Sequence, residues 1–499
     1  MDWSRAIILG IGVLPLAIYL GQGVYDYLHV KKNEDYFLAG RCLGTKAFAL
    51  NASTSNFSFT TAIYVMLFLA YTYGAATWWA LISCAIGFVA FANPWFSPIK
   101  DTEFFRTGNT LHEYLGKRYN SNVVQVLASV PTIFSFLGFF AVNLYLFSVL
   151  VGSAFAINSW LLLLIVFFVV VLYTCLGGYV SVVKTDTAQL VFIVLGVCGL
   201  GWIAVHDTPN LTRTFSAMFS PSELLSPTGL TSPNLPFNQT PAFFLPMLLI
   251  INGLWQFSAM DMWQRALAAR QPQDVTLGNI IGSVIFVVIC SIIIFYGVEL
   301  RLNSASFTHD PSELALALLD KSRPFLAGIM LAFFASALLS CGDTILIAAS
   351  QSITNDLVGM LSSHECTQKL WFSRVVTVSA AVVGLLFLCG FALLSQGLIK
   401  NIVAFVITLF SCQIVLAPVV IYAVIRPGIM FPHKPAIFSV SIGFLTAILF
   451  GWLGIAYDSD ALQAGTPVLS LAVSTIVLFI GLGSSADTTY TDATNQAVT

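Results

Sequence analysis

The chain has 499 residues, 58% of them hydrophobic and only 9% charged, with a formal net charge of −2 and a mean hydropathy of +0.87. Soluble domains carry about 25% charged residues, so the composition excludes a soluble globular protein. With no basic excess it also excludes nucleic acid as a partner; what remains is an integral protein of the lipid bilayer.

The first apolar stretch, AIILGIGVLPLAIYLGQGVYDYLHVKK (6–32), lacks both a strong basic flank and a small-residue cleavage site, and predicts an uncleaved helix over 6–27. No Asp, Glu, Lys or Arg occurs in Ala47–Ile99 or in Tyr119–Val183, and each run holds two or more spanning helices at about 20 residues apiece. Five later uncharged runs, Val275–Val298, Val375–Ile399, Ile402–Ile425, Pro435–Tyr457 and Ala461–Ala486, each fit one helix. The short alternating segments of a membrane barrel are absent. The fold class is therefore all-α integral membrane, with about thirteen transmembrane helices. They are expected at 6–27, 46–72, 76–100, 122–152, 158–183, 186–206, 242–267, 275–299, 323–357, 370–395, 400–425, 435–456 and 465–484.

With the N-terminus outside, 15 of the 21 basic residues fall in inside loops. The outside receives Arg5, Arg213, Arg301, Lys321, Arg323 and Lys400. That asymmetry sets the orientation and leaves the C-terminus in the cytoplasm. The longest loop, 207–241, is rich in Pro, Ser, Thr and Asn, holds N-x-T sequons at Asn210 and Asn238, and reads as an outside surface loop or partial lid. The tail after about 485 is polar and reads as disordered. The nine cysteines are scattered without a CxxC pair, so neither a disulfide framework nor a zinc site is expected.

Against this background the polar residues inside apolar helices carry the information, because a charge at mid-membrane costs about 2.5–3.5 kcal/mol. In NASTSNFSFTTAIY (51–64), Asn, Ser and Thr interrupt a charge-free span. Such backbone is tolerated at membrane depth only where it lines a cavity or is buried in protein. A second interruption, IINGLWQFSAMDMWQR (250–265), follows about 200 residues later, and paired broken helices in two halves point to a transporter site at the midplane. The two halves would be inverted five-helix repeats over 46–208 and 242–425, whose first and sixth core helices are broken. Residues 1–45 add an extra helix and inside loop, 209–241 form the outside loop, and 426–499 add two helices and a short tail.

Three carboxylates stand out. Asp343 lies deep in its helix and shares a polar stripe with Ser336, Ser340 and Thr344; this stripe is expected to bind a cation or proton. Asp186 follows a Gly-Gly turn, where it either complements a helix dipole or joins a site. Asp261 lies four residues before Arg265 and is expected to form a helix-end ion pair with it. Asn56, Trp255, Gln256 and Ser258 are the expected solute contacts, suited to a small polar or zwitterionic organic solute whose carboxylate a half-helix N-terminus could receive.

Five stretches, KKNEDYFLAGRCLG, NTLHEYLGKRY, LGGYVSVVKTDTAQ, WQRALAAR and ALLSCGDTILIAASQSITNDL, resemble motifs of the sodium:solute symporter family, in the expected order. The resemblance covers nearly the whole chain. It implies a leucine-transporter-like core of two inverted repeats, not an enzyme, that couples inward Na+ movement to uptake of a small organic solute by alternating access. H+ is the alternative coupling ion. It further implies a sodium site built from the backbone carbonyls of Thr54, Phe57 and Ala337 and the side chains of Ser340 and Cys341. At position 341 the family usually has serine or threonine, and a thiol is a poor sodium ligand. In some members a second cation site uses the positions of Asp186, Asp343 and Thr344. The functional unit is expected to be monomeric, in the cell membrane. A second function class, a membrane solute sensor working with a signalling partner, is weakened because no output domain is present in the sequence.

Overall fold

The computed structural model describes residues 3–93, 102–207, 211–219, 243–303, 311–319, 323–361, 369–394, 401–426 and 431–496. Among the described residues there is no β-sheet, and ten helical runs are long and apolar enough to cross a membrane. Among the described residues, helix falls within each segment where the sequence predicts it. The expected outside loop and its sequons, and Lys100, Lys321 and Lys400, lie largely outside the described residues. The part of that loop described includes a short helix, Leu211–Met218, with Thr214, Ala217 and Met218 buried; its apolar and small side chains at helical spacing turn an expected loop into a packed turn of helix.

The elements that position the site are α1 (Trp3–Tyr27), α2 (Thr45–Ser55), α3 (Met66–Tyr73) and α4 (Trp78–Ala92). They are followed by α5 (Leu111–Arg118), α6 (Asn122–Phe155) and α7 (Ser159–Asp207). Beyond these come α8 (Phe244–Ser258), α9 (Met260–Ala268), α10 (Pro272–Asn303) and α11 (Pro324–Ser352). The last five are α12 (Leu370–Leu394), α13 (Ile402–Ile414), α14 (Ala417–Ile425), α15 (His433–Ala456) and α16 (Asp460–Gln496).

Burial sorts these helices into an inner and an outer set. The run Pro324–Val358 has 83% of its apolar window buried, against 28% for Trp3–Tyr27 and 33% for both His433–Ala456 and Asp460–Gly483. The outer helices turn large apolar side chains outward, as at Leu14, Leu386 and Leu445, which is stable only against lipid. The polar residues of α11 face protein instead. α1 lies against both α7 and α11, with the Tyr19 hydroxyl 3.2 Å from Ser336 Oγ.

Two boundaries differ from expectation. The helix expected to end at 183 breaks earlier, at Gly178, where φ is +58° and ψ −154° inside α7. That conformation is essentially restricted to glycine, and it brings the chain so close to Tyr36 that a Cβ at 178 would meet Tyr36 Cδ2 at 2.5 Å and its carbonyl oxygen at 2.6 Å. Gly178→Ala is therefore expected to lose about 1–3 kcal/mol of stability, read as a lower thermal midpoint in detergent. An unchanged midpoint would show that the break tolerates a side chain. The second difference is at the C-terminus, where α16 runs on to Gln496 instead of ending near 484. No proline or helix-stopping turn follows Gly483, so the polar tail continues the helix.

Candidate functional site

The first interruption is real and is held open by side chains. α2 ends at Ser55; Ser58 is extended at φ −84° and ψ 144°, and a π-helical turn over Phe59–Val65 leads into α3. Helix ends leave backbone donors and acceptors without partners, and inside a membrane these must be satisfied by protein. Phe57 N donates to the Thr54 carbonyl at 2.8 Å, and Asn56 Nδ2 donates to the Ala52 carbonyl at 2.9 Å. On the far side of the gap one α6 residue, Asn143, accepts from Ser58 Oγ at 2.8 Å, Thr60 N at 3.0 Å and Thr60 Oγ1 at 2.8 Å. The Asn143 amide also points its Nδ2 at Cys341 Sγ, 3.8 Å away.

The second interruption falls between α8 and α9, where Ala259 is extended at φ −79° and ψ 130°. Trp263 Nε1 donates to the exposed Phe257 carbonyl at 2.8 Å, and Gln413 Nε2 to the Ser258 carbonyl at 2.5 Å. The outer face of α8 crosses α4 closely: a Cβ on Gly87 would meet the Gly253 carbonyl at 2.5 Å. Between the two breaks lies a cavity of about 120 Å³, lined by Ser55, Asn56, Ser58, Thr61, Asn252, Trp255, Gln256 and Asp261 together with Cys341 and apolar side chains. Trp255 forms an aromatic wall with Phe136, Phe139 and Phe410, at ring separations of 5.8, 5.6 and 4.9 Å.

Behind the cavity the buried charges form one network. Asp186, fully buried, accepts from Asn51 Nδ2 and from Ser340 Oγ at 3.1 Å. The oxygen of the same Asn51 amide accepts from Tyr179 at 2.9 Å and from Arg265 Nε at 2.5 Å. A single asparagine thus links α2, the second half of α7 and α9, and through Asp186 the α11 stripe. Asp343, also fully buried, accepts from the Tyr173 hydroxyl at 2.6 Å and from Thr344 N at 2.6 Å. Asp186 and Asp343 are within electrostatic reach of each other. Thr344 Oγ1 lies 3.1 Å from Ser55 Oγ at the end of α2.

The predicted residues therefore meet, with instructive exceptions. Ser55 against Thr344, and the Phe57 ring 5.7 Å from Phe333, bring the 54–57 segment against α11. There Ala337, Ser340, Cys341 and Thr344 share one helical face. Asn56, Trp255 and Gln256 line the cavity. Ser258 does not: its hydroxyl donates back to the Leu254 carbonyl at 3.0 Å, and its carbonyl holds Gln413, so it serves the break. Asp186 is not a first-turn acid, because the break at Gly178 places it well inside the second half of α7. Asp261 and Arg265 form the expected i,i+4 ion pair, long at 3.8 Å, because Arg265 also spends its Nε on Asn51. Sequence reasoning missed Asn51, Tyr173, Tyr179, Asn143 and Gln413. Only Asn51 carried a signal, as the first polar residue of the interrupted stretch.

A bundle of apolar helices with two broken members closing on one cavity, beside buried carboxylates, defines a membrane transporter rather than an enzyme. The sequence model of the sodium:solute symporter family matches residues 36–427, and the chain belongs to that family. It is 24% identical over 458 residues to the sodium/proline symporter of Escherichia coli (strain K12), covering 87% of this chain and 86% of that protein. It is 23% identical over 402 residues to the sodium/proline symporter of Staphylococcus aureus (strain Newman), covering 77% and 74%. Among solved structures, a Na+-coupled sialic acid symporter in a substrate-bound, outward-open state superposes with a TM-score of 0.74 at 19% identity, over 96% of this chain and 98% of that one. At that identity the likeness concerns the fold.

Proposed function

We propose that this protein is a secondary active symporter of the cell membrane that carries a small organic solute inward with sodium by alternating access. One observation carries the proposal: two half-helix breaks, remote in sequence, close on a single cavity directly against the helix that bears Ser340 and Asp343. Residues 46–208 and 242–425 act as the two inverted repeats around that cavity, with 1–45, 209–241 and 426–499 as additions. The N-terminus lies outside and the C-terminus in the cytoplasm, by the bias of basic residues, and a monomer is the working unit.

In this reading the carbonyls of Thr54, Phe57 and Ala337 and the side chains of Ser340 and Cys341 take one sodium ion. The Ser340 hydroxyl directs its proton to Asp186, which leaves its lone pairs for a cation. Asp186, Asp343 and Thr344 take a second cation. Asn56, Trp255 and Gln256 contact the solute. The proline named for two relatives makes amino and imino acids the first solutes to test.

The test is uptake of radiolabelled proline and a panel of amino acids into proteoliposomes under an imposed sodium gradient. Accumulation that collapses when the gradient is dissipated is the expected result; equal uptake without a gradient would refute coupling. A narrower outcome concerns Cys341, whose sulfur a hard cation tolerates poorly. Cys341→Ser is expected to lower the half-saturating sodium concentration by roughly three- to tenfold, the scale of one contact of about 1 kcal/mol. An unchanged sodium titration would remove position 341 from the ion site.

A further inference from the structure

Asp261 occupies a place where a transporter of this architecture has a use for positive charge. It sits in the first turn of α9, where the helix dipole and free N–H groups would otherwise attract an anion. This break already carries its own anion, so the half-helix N-terminus is not left free for a solute carboxylate. The residue is 4% exposed, lines the cavity, and its Oδ1 accepts no hydrogen bond. Arg265 pairs with it only at long range and on one oxygen: Nη2 stands 3.8 Å from Oδ2, while Nε and Nη1 are spent on Asn51 and Met262.

A second cavity atom has the same need. Gln256, 1% exposed, directs its amide nitrogen toward Cys84 at 3.7 Å, and its Oε1 accepts nothing. The cavity lining thus offers two buried acceptors without donors, one of them on a carboxyl group, and among the described residues no Lys, Arg or His. Trp255 adds an aromatic ring to the wall; the faces of such rings attract cations. A buried carboxylate oxygen without a donor is costly, and a bound cation relieves the cost. The space, about 120 Å³, is well below the roughly 300 Å³ at which ordinary drug-sized pockets begin.

We infer that Asp261 is the specificity-determining residue of the solute site. It takes the ammonium or protonated secondary amine of a small solute, with Gln256 Oε1 as a second acceptor and Trp255 as the wall. The inference rests on the symporter reading above and narrows it: amine-bearing solutes enter, while amine-free acids, sugars and polyols of similar size do not.

The experiment uses the purified full-length protein in sodium buffer and follows thermal stabilisation by matched solutes. The panel pairs proline with cyclopentanecarboxylate, alanine with propionate, and adds simple amines, urea, a hexose and a polyol. In the wild type only amine-bearing solutes are expected to stabilise. Asp261→Asn is expected to weaken them about thirtyfold or more, the scale of removing one partner of a buried charge pair. The stabilisation by sodium alone should persist, and Asp261→Glu should recover part of the loss. An amine-free solute as the strongest ligand, no stabilisation by any amine, or Asp261→Asn indistinguishable from wild type would each overturn the inference. Loss of the sodium-alone response in Asp261→Asn would overturn it too, by making Asp261 an ion ligand. The wild-type panel decides the matter even if the variant does not fold. Failure of the symporter reading is read separately, as absence of sodium-driven accumulation in wild-type proteoliposomes.

Discussion

Asp186→Asn is expected to abolish sodium-driven accumulation while leaving a folded protein. Asn51 Nδ2 and Ser340 Oγ donate to different oxygens of this carboxylate; an asparagine of the same shape keeps its oxygen for Asn51 and turns its amide nitrogen to Ser340, whose hydroxyl can rotate to accept, so packing survives. What disappears is charge. Arg265 is fully buried and reaches Asp186 only through Asn51; without the carboxylate its remaining acidic neighbour is Asp261 at 3.8 Å. Removing one member of a buried charge network costs about 3–5 kcal/mol. Even the lower figure, if expressed in ion binding, lowers sodium affinity by more than about a hundredfold. The measurement is a sodium titration of uptake, paired with size-exclusion profile and thermal midpoint to establish that the variant is folded. Wild-type sodium dependence in a folded Asp186→Asn protein would take Asp186 out of the ion site.

The parts of this arrangement that were legible in the sequence share a cause: each is polar where lipid forbids it. NASTSNFSF and INGLWQFS could not continue as helices exposed to hydrocarbon, and both breaks appear, at Asn56–Ser58 and at Ala259. Asp343 was conspicuous for the same reason. What was not legible depends on partners far away in the chain. Asn143 clasps Ser58 from 85 positions off, Tyr173 meets Asp343 from 170, and Gln413 reaches Ser258 from 155. No periodicity within one helix encodes such pairings. The Asp261–Arg265 expectation came from a local rule, the four-residue spacing of facing side chains. The pair forms, Nη2 standing 3.8 Å from Oδ2, but a third residue, Asn51, takes the Nε of the same guanidinium, which no local rule could show. Ser258 was misjudged locally: a polar residue at a break can serve the break itself, by back-bonding and by presenting its carbonyl to Gln413. The Gly-Gly turn was seen, but its break lay at the glycine whose neighbour Tyr36 leaves no room for a side chain, not at the first charge that follows.

Asp343→Asn is expected to change the stoichiometry of coupling and not merely its affinity. Three carboxylates, Asp186, Asp261 and Asp343, are buried around the site, and the buried guanidinium of Arg265 acts on the first two. If Asp261 pairs with the solute, the positive charge needed by the other two comes from the coupling ions. Asp343 is held by the hydroxyl of Tyr173 and the N–H of Thr344, both neutral donors, so nothing among its hydrogen-bond partners balances a negative charge there. It sits one helical turn from Ser340, whose hydroxyl is bound to Asp186, and an ion shared by the two carboxylates answers both charges at once. At equilibrium a symporter's solute ratio varies as the sodium ratio raised to the number of ions carried, so the slope of one logarithm against the other counts ions. Asp343→Asn is expected to reduce that slope by one, and Tyr173→Phe, which removes only a hydrogen bond, to raise the half-saturating sodium concentration and keep the slope. An unchanged slope in Asp343→Asn would leave its carboxylate outside the coupling. Wild-type accumulation driven by an imposed pH gradient, lost in Asp343→Asn, would hand the residue to a proton in place of the second sodium.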